Sequence, residues 1–420
     1  MSTECEDNAK GYVAAGLPVK YGNEFGPLID LGLAANPSGA AIDTKELARI
    51  TPTEQLAEYD AKVHHEDIKE LLLKGIGITG LDSESVIFHP NGSYGAGDEI
   101  VRALGNYLEL THKKRPSMYV TSYSFPNVKQ YAIRHRVNYE PLPKGDSLFQ
   151  EDSLKTLLSM GSRELAGNIM YIDYPNNPTG IANPDLLRKA VKHVKECDGI
   201  PFVDMAFGEV LGDEFRKAIQ FTVDNGGVCV GSLTKTQGLP ALRAGYIILN
   251  KDLTNKLYNG DTRLVFGLPA HVKNAYMILF TKPENGGKNI AQLQSEKAII
   301  YNARTNGVFY KFLSEIGIEK APTKSETPIQ LLYKANDNLF IRLASAGIKT
   351  ECLDDYAGTL PENTNGLGKS GIRILTPRQG QLENTMDRIS TAMKFSPNFV
   401  KAKEEEAAIL NEQKNKNGKR

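Results

Sequence analysis

Lys235 stands among the groups an amine needs if it is to react rather than only carry charge. It lies in the run Gly231, Ser232, Leu233, Thr234, Lys235, Thr236, Gln237, Gly238, Leu239, Pro240, Ala241, Leu242, Arg243, Ala244, Gly245, Tyr246. A buried-looking apolar stretch precedes the lysine, hydroxyl residues flank it, and an arginine follows in the next apolar turn. One loop therefore supplies an amine for a Schiff base, hydroxyl donors, and a fixed cation for a phosphate. The ordinary alternative is an exposed loop lysine. The length of the run and its neighbours argue against it.

Other segments carry related chemistry. Tyr171, Ile172, Asp173, Tyr174, Pro175, Asn176, Asn177, Pro178, Thr179 and Gly180 read as a strand entering a tight turn, which Asn, Pro and Gly favour for backbone reasons of their own. Pro201 to Phe207 is an apolar strand ending in Asp204, and a carboxylate at the end of a buried strand is costly unless paired. Gly92, Ser93 and Tyr94 leave a strand and open a helix, so their backbone N–H groups and the helix dipole can receive a phosphate. This segment has no Gly-Lys-Ser/Thr, and glycines at 92, 95 and 97 do not fit GxGxxG, which excludes a P-loop and a dinucleotide fingerprint. Between Thr121 and Asn127 an aromatic, Tyr123 or Phe125, follows a strand; core packing is the usual role of such a ring. Arg373 lies between apolar residues and suits either a structural ion pair or a two-pronged grip on a carboxylate.

From 85 to 249, short β-rich runs alternate with helical patterns, the sign of βα units and a mainly parallel sheet covered on both faces. Strands are expected at 85–89, 118–121, 168–173, 201–204, 228–232 and 244–249. Helices are expected at 97–110 and at 184–196, the latter opened by Pro184 with Asn183 as its cap. A glycine-rich break at 284–288 precedes a helical stretch, 289–316, long enough to link two domains. Strand-like runs at 327–333, 338–344 and 371–375, with helical patterns between them, read as a smaller α+β domain completed by the N-terminal segment. The charge-rich tail, 401–420, is expected to end as a solvated helix and then disorder. There are no internal repeats.

The 420 residues are 40% hydrophobic and 24% charged, an ordinary soluble composition with room for a large domain and a smaller one. Lys plus Arg and Asp plus Glu are 50 each, so no net field favours nucleic acid or an anionic membrane, and a small-molecule substrate is the better expectation. Residues 1–20 lack a basic and apolar leader pattern, and no apolar stretch is long enough to span a bilayer, so a cytoplasmic location is expected. Cys5, Cys197, Cys229 and Cys352 are far apart and read as free thiols. His64 and His65 are adjacent rather than at helical ligand spacing, so no metal site is expected.

The lysine run resembles the lysine loop of class I/II aminotransferases, and Pro175 to Gly180 is similar to the same superfamily's Asn-Pro signature. Asn36-Pro37 and Leu56 to Tyr59 resemble segments of its histidinol-phosphate aminotransferase branch. With the matches running in family order from about Asn36 to Arg373, the chain resembles the fold-type-I, pyridoxal-phosphate (PLP)-dependent aminotransferases of the aspartate aminotransferase superfamily. The resemblance implies an α/β, PLP-dependent transferase-like fold: a large domain with a mostly parallel seven-stranded sheet, plus a small α+β domain. The large PLP-binding domain would take 50–288, the small one 1–49 and 289–400, and the tail 401–420.

The resemblance also implies roles. Lys235 would hold PLP as a Schiff base and move the proton between substrate Cα and the cofactor. Asp204 would pair with the pyridinium N–H, keeping the ring an electron sink. Asn177 would hydrogen-bond the phenolic oxygen and help line the substrate site with Asn36. Gly92, Ser93, Tyr94, Ser232, Thr234 and Arg243 would anchor the phosphate, with Tyr59 reaching it from the neighbouring subunit of a homodimer. Phe125 would stack on the ring, Tyr123 being the reserve, and Arg373 would clamp the substrate α-carboxylate. The expected partners are an amino acid or related amine and a 2-oxo acid.

One position departs from the pattern. The family usually has tyrosine where this chain has Phe207, which cannot donate to the phenolic oxygen. That implies a less stabilised phenolate, and it opens a second reading: elimination, cyclisation, decarboxylation or oxidation of an amino acid on the same cofactor. A third reading, a ligand-binding or regulatory module that keeps the fold, ranks lower because no DNA-binding segment precedes the fold.

Overall fold

Runs such as Ile169–Asp173, Val228–Ser232 and Gly245–Leu249 have almost no polar face to offer water, so they have to be covered on both sides. The computed structural model describes residues 12–13, 18–19, 26–32, 36–49, 51, 65–142, 150–259, 268–283, 287–324, 326–334, 337–356 and 371–417. Seven strands form the main sheet: β1 Val86–His89, β2 Ser117–Val120, β3 Asn138–Pro141, β4 Ile169–Asp173, β5 Ile200–Asp204, β6 Val228–Ser232 and β7 Gly245–Leu249. Their order is β1-β7-β6-β5-β4-β2-β3. The steps from β6 to β3 are parallel, whereas β7 runs antiparallel to both its neighbours. Alternating side chains feed two cores, with Met170, Ile172 and Val203 on one face and Ile169, Tyr171 and Phe202 on the other.

Six of these strands lie within a residue or so of the expected ones. The seventh, β3, carries Asn, Tyr, Glu and Pro, leaves most of its length partly exposed, and occupies the sheet edge where proline is tolerated. Helix α1, Gly92–His112, begins five residues before the expected start because the glycine-rich segment is itself the first turn. Glycine is needed there: a Cβ on Gly95 would lie 2.2 Å from the His89 ring. Helices α2 (Val128–Arg134) and α3 (Pro184–Glu196) follow; at α3 the Asn183 side chain accepts from the Leu186 N–H at 3.1 Å, as its type and place predict. Helix α4 spans Ile290–Glu315.

The chain divides into two compact units, one of residues 38–177 and 181–301, the other of 1–37, 178–180 and 302–420. The boundary falls within α4, and 38–49 belong to the larger unit. The smaller unit has an antiparallel sheet of β8 (Glu319–Lys320), β9 (Ile329–Tyr333), β10 (Glu351–Cys352) and β11 (Gly371–Leu375), in the order β8-β9-β11-β10. Helices α5 (Leu339–Ser345), α6 (Leu382–Met393) and α7 (Pro397–Asn417) belong with it.

One expectation is corrected here. The run 338–344 is helix rather than strand: the Asn338 side chain accepts from the Ile341 N–H at 3.1 Å, and Leu339 to Ala344 are all buried. A short apolar run has no periodicity to separate the two, and the cap decides it. The tail from 401 continues α7 as the expected helix, and of residues 401–410 only Ala407 is buried, in the small unit's core. Among the described residues, no helix is long and apolar enough to cross a membrane.

Strand direction decides where the chemistry collects. Because β4, β5 and β6 are parallel, their last residues, Asp173, Asp204 and Ser232, emerge at one sheet edge. Strand β1 delivers the Gly92 turn to that edge, and β7 starts there, with Gly245 opposite both Ser232 and His89. A Cβ on Gly245 would lie 2.3 Å from the Gly92 backbone, which cannot swing aside as a side chain would. Gly245→Ala is expected to destabilise the protein by about 2 kcal/mol, the usual cost of overpacking, read as a lower midpoint in chemical denaturation.

Candidate active site

Asp204 ends β5 opposite Asp173 at the end of β4. The hydroxyl of the fully buried Tyr171 lies 2.5 Å from Asp173 Oδ1 and 3.0 Å from Asp204 Oδ2. The Ala206 N–H donates to Asp204 Oδ1 at 2.9 Å, and the Phe125 N–H donates to Asp173 Oδ2 at 2.8 Å. Burial raises the Asp204 carboxyl, opposed by the Ala206 and Tyr171 donors and by the Lys235 ammonium. Burial and the Asp204 charge push Asp173 well above the usual carboxylate range.

Lys235 sits just beyond β6 in a loop closed on itself. The Leu233 N–H donates to the Ala244 carbonyl, the Leu239 N–H to the Leu233 carbonyl, and the Gly238 N–H to the Lys235 carbonyl. The half-buried amine lies 5.1 Å from the centre of the Phe207 ring, so the residue that replaces the family's tyrosine is in contact distance of the reactive nitrogen.

Residues expected to anchor a phosphate lie near one another. The Gly92 N–H donates to the Arg243 carbonyl, and the Arg243 guanidinium donates back to the Asn91 carbonyl at 3.2 Å. Space above Gly92 is bounded by Arg243 Nη2 and Thr234 Oγ1, which lie 3.4 and 3.5 Å from where a Cβ would stand. Thr234 Oγ1 is buried without a partner, while the Ser232 hydroxyl accepts from the Thr234 N–H at 3.3 Å. Tyr94 turns its ring towards Tyr131, 5.3 Å between centres, leaving its backbone N–H as what it offers at the helix start.

Asn177 is buried, and its Oδ1 has no partner. Phe125 is partly exposed and its backbone holds Asp173, whereas Tyr123 is 1% exposed and packed in the interior; exposure favours Phe125 as the ring available to a ligand. Arg373 and Asn36 belong to the smaller unit, both buried. Arg373 Nη1 lies 2.9 Å from Glu351 and donates to the Gly32 carbonyl at 2.6 Å, the ion-pair arrangement, while its buried Nε has no partner. Tyr59 lies outside the described residues. Among the described residues no cluster of His, Cys, Asp or Glu could hold a metal ion.

The sequence pattern of the family described as aminotransferase class I and II matches residues 28–332. An LL-diaminopimelate aminotransferase of Dehalococcoides mccartyi is 26% identical over 53% of this chain and 55% of its own length. A histidinol-phosphate aminotransferase of Methanosphaera stadtmanae is 24% identical over 85% of this chain and 92% of its own. Thus the match spans about half of the first of these relatives and nearly all of the second. In fold, the chain is similar to the histidinol-phosphate aminotransferase of Sinorhizobium meliloti solved in complex with pyridoxal-5'-phosphate, with TM-score 0.62 and 16% identity over 90% of this chain and 92% of that one.

Four residues of this region escaped the reading of the sequence. Asp173 and Tyr171 lay inside a quoted segment, and the argument that singled out Asp204, a carboxylate ending an apolar strand, applies equally to Asp173. Glu209 and Gln237 gave no such signal for the pair they form. Gln237 Nε2 donates to Glu209 Oε2, tying the turn after Phe207 to the loop of Lys235. Burial pushes Glu209 up from 4.5 to about 7, partly offset by Gln237. Because the folded state raises this pKa, Glu209 favours folding below about pH 4.5 and loses that contribution as the pH rises to about 7. Relative to Glu209→Gln, the native protein is expected to lose roughly 3 kcal/mol of stability across that window, measured by denaturation at a series of pH values.

Proposed function

Since the chain belongs to the class I and II aminotransferase family, we propose that it is a PLP-dependent aminotransferase acting on an α-amino acid or related amine, with a 2-oxo acid as co-substrate. The observation that carries this reading is the set of groups left waiting at one sheet edge. Asn177 Oδ1 and Thr234 Oγ1 are buried and unpaired, Arg243 and Thr234 bound the space over Gly92, and Lys235 and Asp204 flank the gap. An unpaired buried polar atom is costly in a protein that stays empty. A ligand with an anionic end and a protonated ring nitrogen would give Thr234, Arg243 and Asp204 their partners.

Gly92, Ser93 and Tyr94 would offer backbone N–H groups to the phosphate, with Ser232, Thr234 and Arg243 completing its hold. Asn177 would orient the ring through its oxygen, Phe125 would cover one face and keep water off it, and Asp204 would hold the proton at the ring nitrogen. When bound, PLP supplies an aldehyde that takes up an amine and a protonated ring that accepts the electron pair left on the substrate Cα. Lys235 would bind the aldehyde; displaced by the substrate, its Nζ would take the Cα proton and return it. Arg373 is proposed as the grip on the substrate carboxylate, its unpaired Nε being the group left for it, and Asn36 as a residue lining the substrate site.

The second reading rests on Phe207, which brings no hydroxyl near Lys235. Amino-acid substrates without any oxo acid separate the two: an aminotransferase makes about one oxo acid per subunit and stops, whereas elimination, decarboxylation or oxidation releases its product continuously. We also read the protein as a cytoplasmic homodimer. Free buried thiols at Cys197 and Cys229 support the first part; Leu293 and Ile300, 52% and 67% exposed a heptad apart on α4, support the second. Lys235→Ala is expected to abolish both the visible absorbance gained on adding PLP and turnover, measured by absorbance titration and oxo-acid release. Retention of both would refute the assignment.

A further inference from the structure

A cavity of about 440 Å³ lies wholly within the larger unit, and none of the residues expected to hold PLP or substrate lines it. That volume is in the range of small-molecule sites. One side is a stripe of α4 made by Gln292, Ser295, Glu296 and Ile299, spaced as neighbours on a helix face are. Ile76, Phe215 and Phe280 add apolar wall. The exposed ion pairs Arg216–Asp213, at 3.1 Å, and Lys288–Glu296 stand where the cavity meets water and cancel one another's charge.

The polar part of the lining is Glu209 and Gln237, 8% and 0% exposed. The orientation of the Gln237 amide is fixed by what it faces. Its Nε2 donates to Glu209 Oε2 and, at 3.4 Å, to the Ala291 carbonyl, two acceptors that an amide oxygen in the same place would repel. Gln237 Oε1 and Glu209 Oε1 are then both buried without a partner. Two such acceptors, on side chains already tied to each other, call for donors from elsewhere. The titratable groups facing Glu209 from the neighbouring elements are Tyr246 of β7 and Tyr276, both raised by burial well above the usual phenol range and so uncharged. The two cations that line the cavity, Arg216 and Lys288, are each engaged by the carboxylate of its own ion pair. Burial raises Glu209, with Gln237 as the group that opposes it.

We propose that this cavity is a binding site for a small primary ammonium compound with an apolar body of a few carbons, whose N–H groups donate to Glu209 Oε1 and Gln237 Oε1 and whose chain lies against Ile76, Phe215, Phe280 and Ile299. The ammonium supplies the positive charge that the buried carboxyl lacks, and two of its three N–H groups meet the two oxygens. A quaternary ammonium has the charge but no donor, and a carboxylate has neither. The proposal does not rest on the function given above, since nothing in it uses PLP. The two sites share a loop, because Gln237 stands two residues from Lys235.

Calorimetric titration of the full chain with n-butylammonium at pH 8, without PLP so that no aldehyde traps the amine, tests the site. One molecule is expected to bind per chain. Glu209→Gln is expected to weaken it about tenfold or more, the scale of a lost hydrogen bond to a charged group, and n-butyltrimethylammonium is expected to bind wild type more weakly by a similar factor. Ser295→Trp, which fills the cavity from α4 and leaves Glu209 and Gln237 in place, is expected to weaken n-butylammonium as much. At pH 6, below the value of about 7 to which burial lifts Glu209, binding is expected to release close to one proton, seen as a heat that varies with the buffer, and Glu209→Gln to release none. Absence of binding to wild type, binding unaltered in Glu209→Gln or in Ser295→Trp, equal binding of the two cations, or no proton release at pH 6 overturns the proposal. Each outcome reads the same whether or not the chain takes up PLP, so the site and the proposed function stand or fall separately.

Discussion

Two carboxyl groups meet at the ends of adjacent parallel strands, where water is largely excluded, and the rest of the site is organised around making that tolerable. Burying one carboxylate costs several kcal/mol unless it is paired, and burying two side by side costs more. The structure answers with local donors: the Tyr171 hydroxyl between them, the Phe125 N–H on one and the Ala206 N–H on the other. The two N–H donors come from the same turns that deliver Phe125 and Phe207 to the site. Electrostatic relief and placement of the aromatic groups are therefore one arrangement, made at the sheet edge.

Parallel strand direction is what makes such an edge possible. A sheet of hairpins would send consecutive strand ends to opposite sides, whereas β4, β5 and β6 release Asp173, Asp204 and Ser232 together. Strand β7 turns the other way, so its beginning, not its end, meets them, bringing Arg243 back to the Gly92 turn. Close packing fixes this return: Gly245 lies against the Gly92 backbone with no room for a side chain. The Arg243 cation and the backbone N–H groups of the Gly92 turn are thus held by contacts between strands far apart in sequence.

The substitution at Phe207 gains meaning in this setting. Lys235 faces a ring without a hydroxyl, and the loop that carries it is tied to the same turn by Gln237 and Glu209. Under the proposed function, hydrogen bonding to the cofactor's oxygen would then fall to the side-chain N–H donors of Asn177. An electrostatic balance with one fewer donor at the oxygen and an extra acid behind Asp204 differs from that implied by the family pattern. The reaction type is the property most exposed to that difference.

Sequence by itself determined the main strands, the caps and the order of the chemical segments, because apolar runs, turn residues and a capping asparagine such as Asn183 act over a few positions. It placed Lys235, Asp204, Asn177 and Arg243 in their segments for the same reason. Tertiary structure decided whatever depends on what lies opposite. The edge strand Asn138–Pro141 has almost no apolar signal and forms only because β2 is beside it, and 339–345 became helix although its composition suits either state. The pairing of Asp173 with Asp204 is of this kind: each carboxyl looks alone in the sequence, and only the register of β4 on β5 sets them opposite each other with the Tyr171 phenol within hydrogen-bond reach of both.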